Sequence, residues 1–200
     1  VTPECEPAIS EVFLSRNGIP TKLRVEQNVG CEFPVCCSHR SKCNEESILF
    51  VNAEGRQWKL TRSATSKLPA PEHYDSWLWF QDALANAARA GHAERPKIRI
   101  NFRELVELMG RKKGGNQYKQ IDEAFERYSN LIVTTSTAFL VYEKDKTKQY
   151  HFKGNFGTLC EYQSYTHERR EGESVEEGVA YVMPNEHVWK NIKSGYMLSL

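Results

Sequence analysis

The stretch from Ile100 to Ser129, INFRELVELMGRKKGGNQYKQIDEAFERYS, decides how the chain is read, because a basic glycine-containing turn separates two helical patterns. Asn101 followed by Glu104 has the cap-x-x-Glu spacing that closes a helix N-terminus. Leu105, Leu108 and Met109 then give that helix an apolar side ending at Gly110. Past the turn, Tyr118, Ile121, Phe125 and Tyr128 recur at three- and four-residue steps, which predicts an amphipathic helix of about four turns with a core stripe. Its other face carries Asn116, Gln117, Lys119, Gln120, Glu123 and Arg127.

Working upstream, KIRI (97–100) alternates as a short strand, and DSWLWFQDALANAARAG (75–91) places Trp77, Phe80, Leu84, Ala87 and Ala88 at helical spacing. Asp75 is the expected N-cap and Gly91 the stop, while Trp79 is the one aromatic of this helix considered for a partner contact. ILFVNAEGRQWKL (48–60) predicts a β-hairpin around Asn52–Gly55. TRSATSKLPAPEHYDS (61–76), with two prolines and many small polar residues, marks a boundary.

Downstream, LIVTTSTAFLVY (131–142) and YHFKGNFGTLCEYQSY (150–165) are strand-forming runs joined by the lysine-rich EKDKTKQ. Helix, strand, helix, helix and hairpin is the order of a winged helix, so the fold class expected is α+β, a winged helix with an N-terminal β-hairpin extension. The division expected is an irregular N-terminal arm over 1–45, a winged-helix DNA-binding domain over 46–166 and an acidic flexible loop over 167–178. A strand and the start of a second winged helix follow over 179–200. Val1 in place of Met, and a final apolar SGYMLSL, suggest a chain cut from a longer protein.

Charge is informative only locally. Lys and Arg number 27 against 26 Asp and Glu, yet Asn86–Gln120 holds nine cations and three anions. A basic turn before a polar helix face suits nucleic acid: Arg111, Lys112 and Lys113 would grip phosphates, while Asn116, Gln117, Lys119 and Gln120 would read base edges. Lys144, Lys146 and Lys148 at the hairpin tip would clamp the backbone beside them.

Other chemistries find less support. A nucleotide-binding P-loop needs Gly-x4-Gly-Lys-Ser/Thr, whereas here the lysines precede the glycines and no hydroxyl follows. Neither a His-x-His nor a Gly-x-Ser-x-Gly motif is present, so the chain is read as not an enzyme, without cofactor. No apolar run is long enough to span a membrane as a helix, and a soluble, cytoplasmic protein is expected. CEFPVCCSHRSKC (31–43) lacks paired zinc-knuckle spacing, and adjacent Cys36 and Cys37 would face opposite sides of a strand, so reduced thiols are expected there. A metal-binding interaction module built on this cluster is the alternative from another class, and a winged-helix transcriptional regulator is the alternative among DNA-binding proteins.

From about Arg24 onward the chain resembles the replication initiator protein A family of plasmids and related replicons. The resemblance is carried by Arg24, Glu26, Asn28 and Pro34, by GRQWKLT (55–61) and KLPAPEHYD (67–75), and most strongly by INFRELVELMG (100–110) and GGNQYKQIDEAFERYSNLIVTTSTAF (114–139). The late WKNIKSGYMLSL (189–200) resembles the point where such initiators enter a second winged helix. The resemblance implies sequence-specific binding to repeated double-stranded origin sites, recruitment of host replication proteins and a possible homodimer. The chain departs from the family around 110–114, where it inserts the basic RKKGG (111–115) in place of a short Gly-Trp or Gly-x-Ser-Gly turn.

Overall fold

The basic turn does separate two helices, and both rest on a sheet assembled from distant parts of the chain. The structure is a computed structural model and describes residues 9–10, 24–26, 33–142, 149–168 and 176–199. In chain order the elements are β1 (Ile9–Ser10), β2 (Arg24–Glu26), β3 (Ser47–Val51), β4 (Gln57–Arg62), α1 (Tyr74–Arg89), β5 (Lys97–Asn101), α2 (Phe102–Leu108) and α3 (Gly115–Ser129). There follow β6 (Leu131–Tyr142), β7 (Gln149–Gly157), β8 (Leu159–Glu168), β9 (Glu176–Pro184), α4 (Glu186–Lys193) and β10 (Met197–Ser199). Short 3-10 turns occupy Arg40–Asn44 and Pro71–His73.

The helix ends follow local chemistry. Asn101 caps α2 as expected, its side-chain oxygen accepting from the backbone N–H of Arg103 at 2.9 Å and Glu104 at 3.2 Å. The start of α1 differs from expectation: His73 occupies the N-cap and Asp75 lies inside the first turn, where a carboxylate still complements the helix dipole. Gly91 ends that helix region at φ +86°, a left-handed conformation that costs glycine little.

Among the described residues, two four-stranded sheets and a two-stranded pair organise the fold, in the orders β3-β4-β6-β7, β1-β5-β9-β8 and β10-β2. The hairpin expected around Asn52 is the β3–β4 pair. The hairpin expected as the wing, β6–β7, joins β4 and makes no pairing with β5. Its burial pattern gives the reason. Leu131, Val133 and Thr135 point inward with Trp58 and Leu60 of β4, while Ile132 is 44% exposed, so these strands share one apolar face. The strands that extend β5 are instead β9 and β8.

The acidic segment assigned to a loop over 167–178 begins and ends inside this second hairpin, since β8 runs to Glu168 and β9 begins at Glu176. The arm over 1–45 likewise contributes structure where it is described: β1 lies parallel to β5, and β2 is antiparallel to β10. At the other end of the chain, α4 packs on α1 and β6, and Asn191 donates from Nδ2 to the Leu140 carbonyl at 2.8 Å.

Aromatic side chains knit the helices to both sheets. Trp58 is fully buried, stacks on Phe33 with centroids 4.9 Å apart, and donates from Nε1 to the Pro34 carbonyl at 2.9 Å. Trp77 meets Tyr128 at 4.8 Å, Phe80 meets Phe125 edge-on at 5.9 Å, and Phe125 stacks on Tyr162 at 6.3 Å. Trp79 is also buried, so its side chain belongs to the core. The four stripe residues of α3 face this cluster as expected, with Tyr118 only partly buried.

The chain changes sheets at Thr158. Its side chain, fully buried, donates to the Tyr128 carbonyl; its N–H donates to Leu131 O at 3.2 Å, and its carbonyl accepts from Asn185 N at 3.2 Å. These bonds join the end of α3, the start of β6 and the cap of α4 at one residue.

Candidate nucleic-acid interface

Three contacts fix how α3 presents its polar face. On its inner side the Tyr162 hydroxyl donates to the Asp122 carboxylate and, at 3.2 Å, to the Asp122 carbonyl, tying the helix to β8. Burial and that carboxylate push the Tyr162 phenol far above its usual range, so it stays protonated and donating. On its flank, Arg127 donates to the Leu68 carbonyl at 3.1 Å and pairs with Glu123.

The segment read as a boundary, 61–76, is therefore part of the site. Leu68 and Ala70 are buried, Leu68 N donates to Cys43 O at 2.9 Å, and Cys37 N donates to Pro69 O at 2.9 Å. Arg62 holds the remaining turn by donating to the carbonyls of Ser63 at 3.1 Å, Ala64 at 3.2 Å and Ser66 at 3.1 Å, and from Nε to Glu45 O at 3.1 Å. Backbone groups without a regular ladder are thus satisfied by one guanidinium.

Beside α3 these segments leave a polar cleft of about 330 Å³. The helix supplies Asn116, Lys119, Gln120, Glu123 and Arg127; the 3-10 turn supplies Arg40, Cys43 and Asn44; Lys67, Ala70, Glu72 and His73 complete the wall. Arg40 pairs with Glu72 at 2.8 Å. Burial pushes the Glu72 carboxyl up, but its own backbone hydrogen bond and Arg40 outweigh this and hold it below the usual carboxylate range. His73 is 2% exposed, and its Nδ1 accepts from Ala70 N at 3.2 Å. Burial first, then the Arg127 charge, pull its pKa down to about 4, so it is neutral near pH 7.

The residues assigned to DNA by sequence fall into four groups. Asn116, Lys119 and Gln120 line the cleft on the outer face of α3. Gln117 is half-buried, with Oε1 buried and without a hydrogen-bond partner. Along the basic turn, Lys112 is exposed, Lys113 pairs with Glu107, and Arg111 pairs with Asp75 at the start of α1. Lys144, Lys146 and Lys148 lie outside the described residues. Sequence reasoning missed Arg40, Asn44 and Lys67, and no local signal places them beside α3, because they arrive through long-range packing.

Next to the cleft, Cys37 and Cys43 are buried with their sulfurs 2.6 Å apart, and Cys37 also donates to Pro69 O at 3.0 Å. Burial and the neighbouring thiol push Cys36 up to about 11 and Cys37 up to about 12. Both stay protonated at neutral pH. Among the described residues no group of three or more His, Cys, Asp or Glu is placed to hold a metal ion. Cys5 and Cys31 lie outside those residues. Among them, too, no helix is long and apolar enough to cross a membrane.

No protein-family model matches the chain, and no curated protein does. Among solved structures the chain is similar to the crystal structure of RctB domains 2-3, RctB-155-483, with a TM-score of 0.52 and 10% identity over 82% of this chain and 59% of that one. A second match is to selenomethionine derivatives of domain 2 and domain 3 of RctB, with a TM-score of 0.50 and 11% identity over 80% of this chain and 57% of that one. The chain thus spans under two-thirds of the length of these structures, and at such identity the likeness is one of fold: mixed α+β, with helices packed on antiparallel sheets.

Proposed function

We propose that the chain is the DNA-binding part of a plasmid-type replication initiator, which recognises repeated origin sites in double-stranded DNA and recruits host replication proteins. The observation that carries this reading is α3 itself. Ile121, Phe125 and Tyr128 anchor one side in the core, and Asn116, Lys119 and Gln120 are left on the other. Such a helix can enter a major groove, where Asn and Gln pair with adenine and Lys donates to guanine.

Three observations support the winged-helix and initiator parts of the reading. The path α1, β5, α2, α3, β8, β9, with sheet order β5-β9-β8, suits a winged helix in which β8–β9 is the wing and β6–β7 an added hairpin. The likeness to RctB domains 2-3 supports a replication-initiator-like fold, and the residue resemblance at 100–110 and 114–139 supports the plasmid initiator family. The chain works by binding, without bond-making, in the cytoplasm, as a monomer on direct repeats or as a homodimer.

Binding to duplexes carrying its own replicon's repeats, measured over a salt series, tests the proposal. Lys112→Gln with Lys113→Gln should weaken binding to every sequence and flatten the salt slope by about 1 to 2, whereas Asn116→Ala or Gln120→Ala should relax sequence choice. Binding that is unchanged in both sets would refute it.

A further inference from the structure

The polar face of α3 does not stand alone. The cleft beside it gathers cations from three separate segments: Arg40 from the 3-10 turn, Lys67 from the pinned 63–70 segment, and Lys119 and Arg127 from the helix. Its two carboxylates are already occupied, Glu72 by Arg40 and Glu123 by Arg127. Lys67 and Lys119 are exposed, and neither makes an ion pair among the described residues. We infer that this cleft takes one phosphodiester of the DNA strand bordering the groove that α3 enters, with Lys67 as its cation from outside the helix. The inference rests on the DNA-binding reading and adds to it a backbone contact from outside the helix-turn-helix stretch.

The geometry suits a phosphate group in three respects. The cleft has a volume of about 330 Å³, room for on the order of ten waters at about 30 Å³ each. The backbone that carries Lys67 is held before any ligand arrives, since Leu68 N bonds to Cys43 O, Cys37 N to Pro69 O, and Arg127 to Leu68 O. Ordering on binding then falls on the exposed lysine side chains and not on the main chain. Asn44 adds a neutral donor beside the cations, suited to a phosphate oxygen on a surface where the Arg charges are partly neutralised, and Asn116 and Gln120 are left to the bases.

The experiment compares the wild-type chain with Lys67→Gln, Lys67→Glu and, as a control on the exposed face of β4, Lys59→Gln. The probe is a 30-bp duplex carrying one repeat of its own replicon, over a salt series. Expected is a loss of affinity of roughly tenfold for Lys67→Gln at moderate salt, a salt slope shallower by about 1, a larger loss for Lys67→Glu, and no change for Lys59→Gln. Ethylation interference should show one phosphate whose modification blocks the wild type and not Lys67→Gln. A parallel titration with inorganic phosphate distinguishes the sources: equal phosphate occupancy in a Lys67-dependent manner with an unaltered DNA slope would overturn the inference in favour of a free anion. If Lys112→Gln with Lys113→Gln weakens DNA binding and both Lys67 variants, folded by circular dichroism, bind like wild type, the cleft assignment fails and the DNA-binding reading stands. A wild-type chain without salt-dependent duplex binding removes both.

Discussion

Acidification should act on this protein through His73, and replacing that residue by Gln isolates the effect. In the folded chain His73 is 2% exposed, and Arg127 and Arg40 oppose its protonation while Glu123 and Glu72 favour it only in part. The net result is a folded pKa of about 4 against an ordinary value of 6.5. Because the unfolded chain takes up this proton first, stability is complete above pH 6.5 and is lost as pH falls toward 4. At about 1.4 kcal/mol for each tenfold difference in proton affinity, the loss between pH 7 and pH 4 is about 3 kcal/mol. Gln in its place can still accept from Ala70 N but does not titrate. Urea unfolding of both chains at pH 7, 5.5 and 4 should show wild-type stability falling about 3 kcal/mol further than that of His73→Gln, whatever the variant costs at pH 7. Parallel declines would refute the assignment of a neutral His73 to the cleft wall.

Two further outcomes follow from the same structure. Asn101→Ala leaves the N–H groups of Arg103 and Glu104 without their cap and should cost about 1 kcal/mol, read as a lowered urea midpoint with an unchanged slope. Of the four described cysteines, Cys160 is exposed and should react with a maleimide first, whereas Cys37 and Cys43 should be labelled only in denaturant; rapid labelling of Cys37 in the folded chain, located by peptide mapping, would contradict its burial and raised pKa.

What could be read from the sequence was whatever short-range chemistry decides. The stripe of α3, the cap at Asn101 and the β3–β4 hairpin depend on residues within a turn or two of one another, and each is visible as a period or a spacing. Strand partners are not. That β6 would choose β4 depends on Trp58 and Leu60 finding Val133 and Thr135, and the local pattern of β6 is equally compatible with pairing to β5. The segment 61–76 misleads for a related reason: its prolines and small polar residues look like a linker, yet its own Arg62 and, from outside, the Cys37–Cys43 turn satisfy its backbone. Half of the candidate cleft was legible as the polar face of α3, and the other half, Arg40, Asn44 and Lys67, becomes visible only after that long-range packing is known.

The pairing of β5 with β9 has a consequence for how the protein comes into being. Ile98 stands opposite Val182 in the ladder, and α2, α3 and both strands of β6–β7 lie within the loop this pairing closes. Closing so long a loop is slow compared with forming a helix or a hairpin. During synthesis on the ribosome, α3 emerges well before β9, so the helix exists as sequence, and as nascent local structure, before it has its sheet. Any nascent chain halted between α3 and β9 would therefore carry the complete polar face without the rigid platform that orients it.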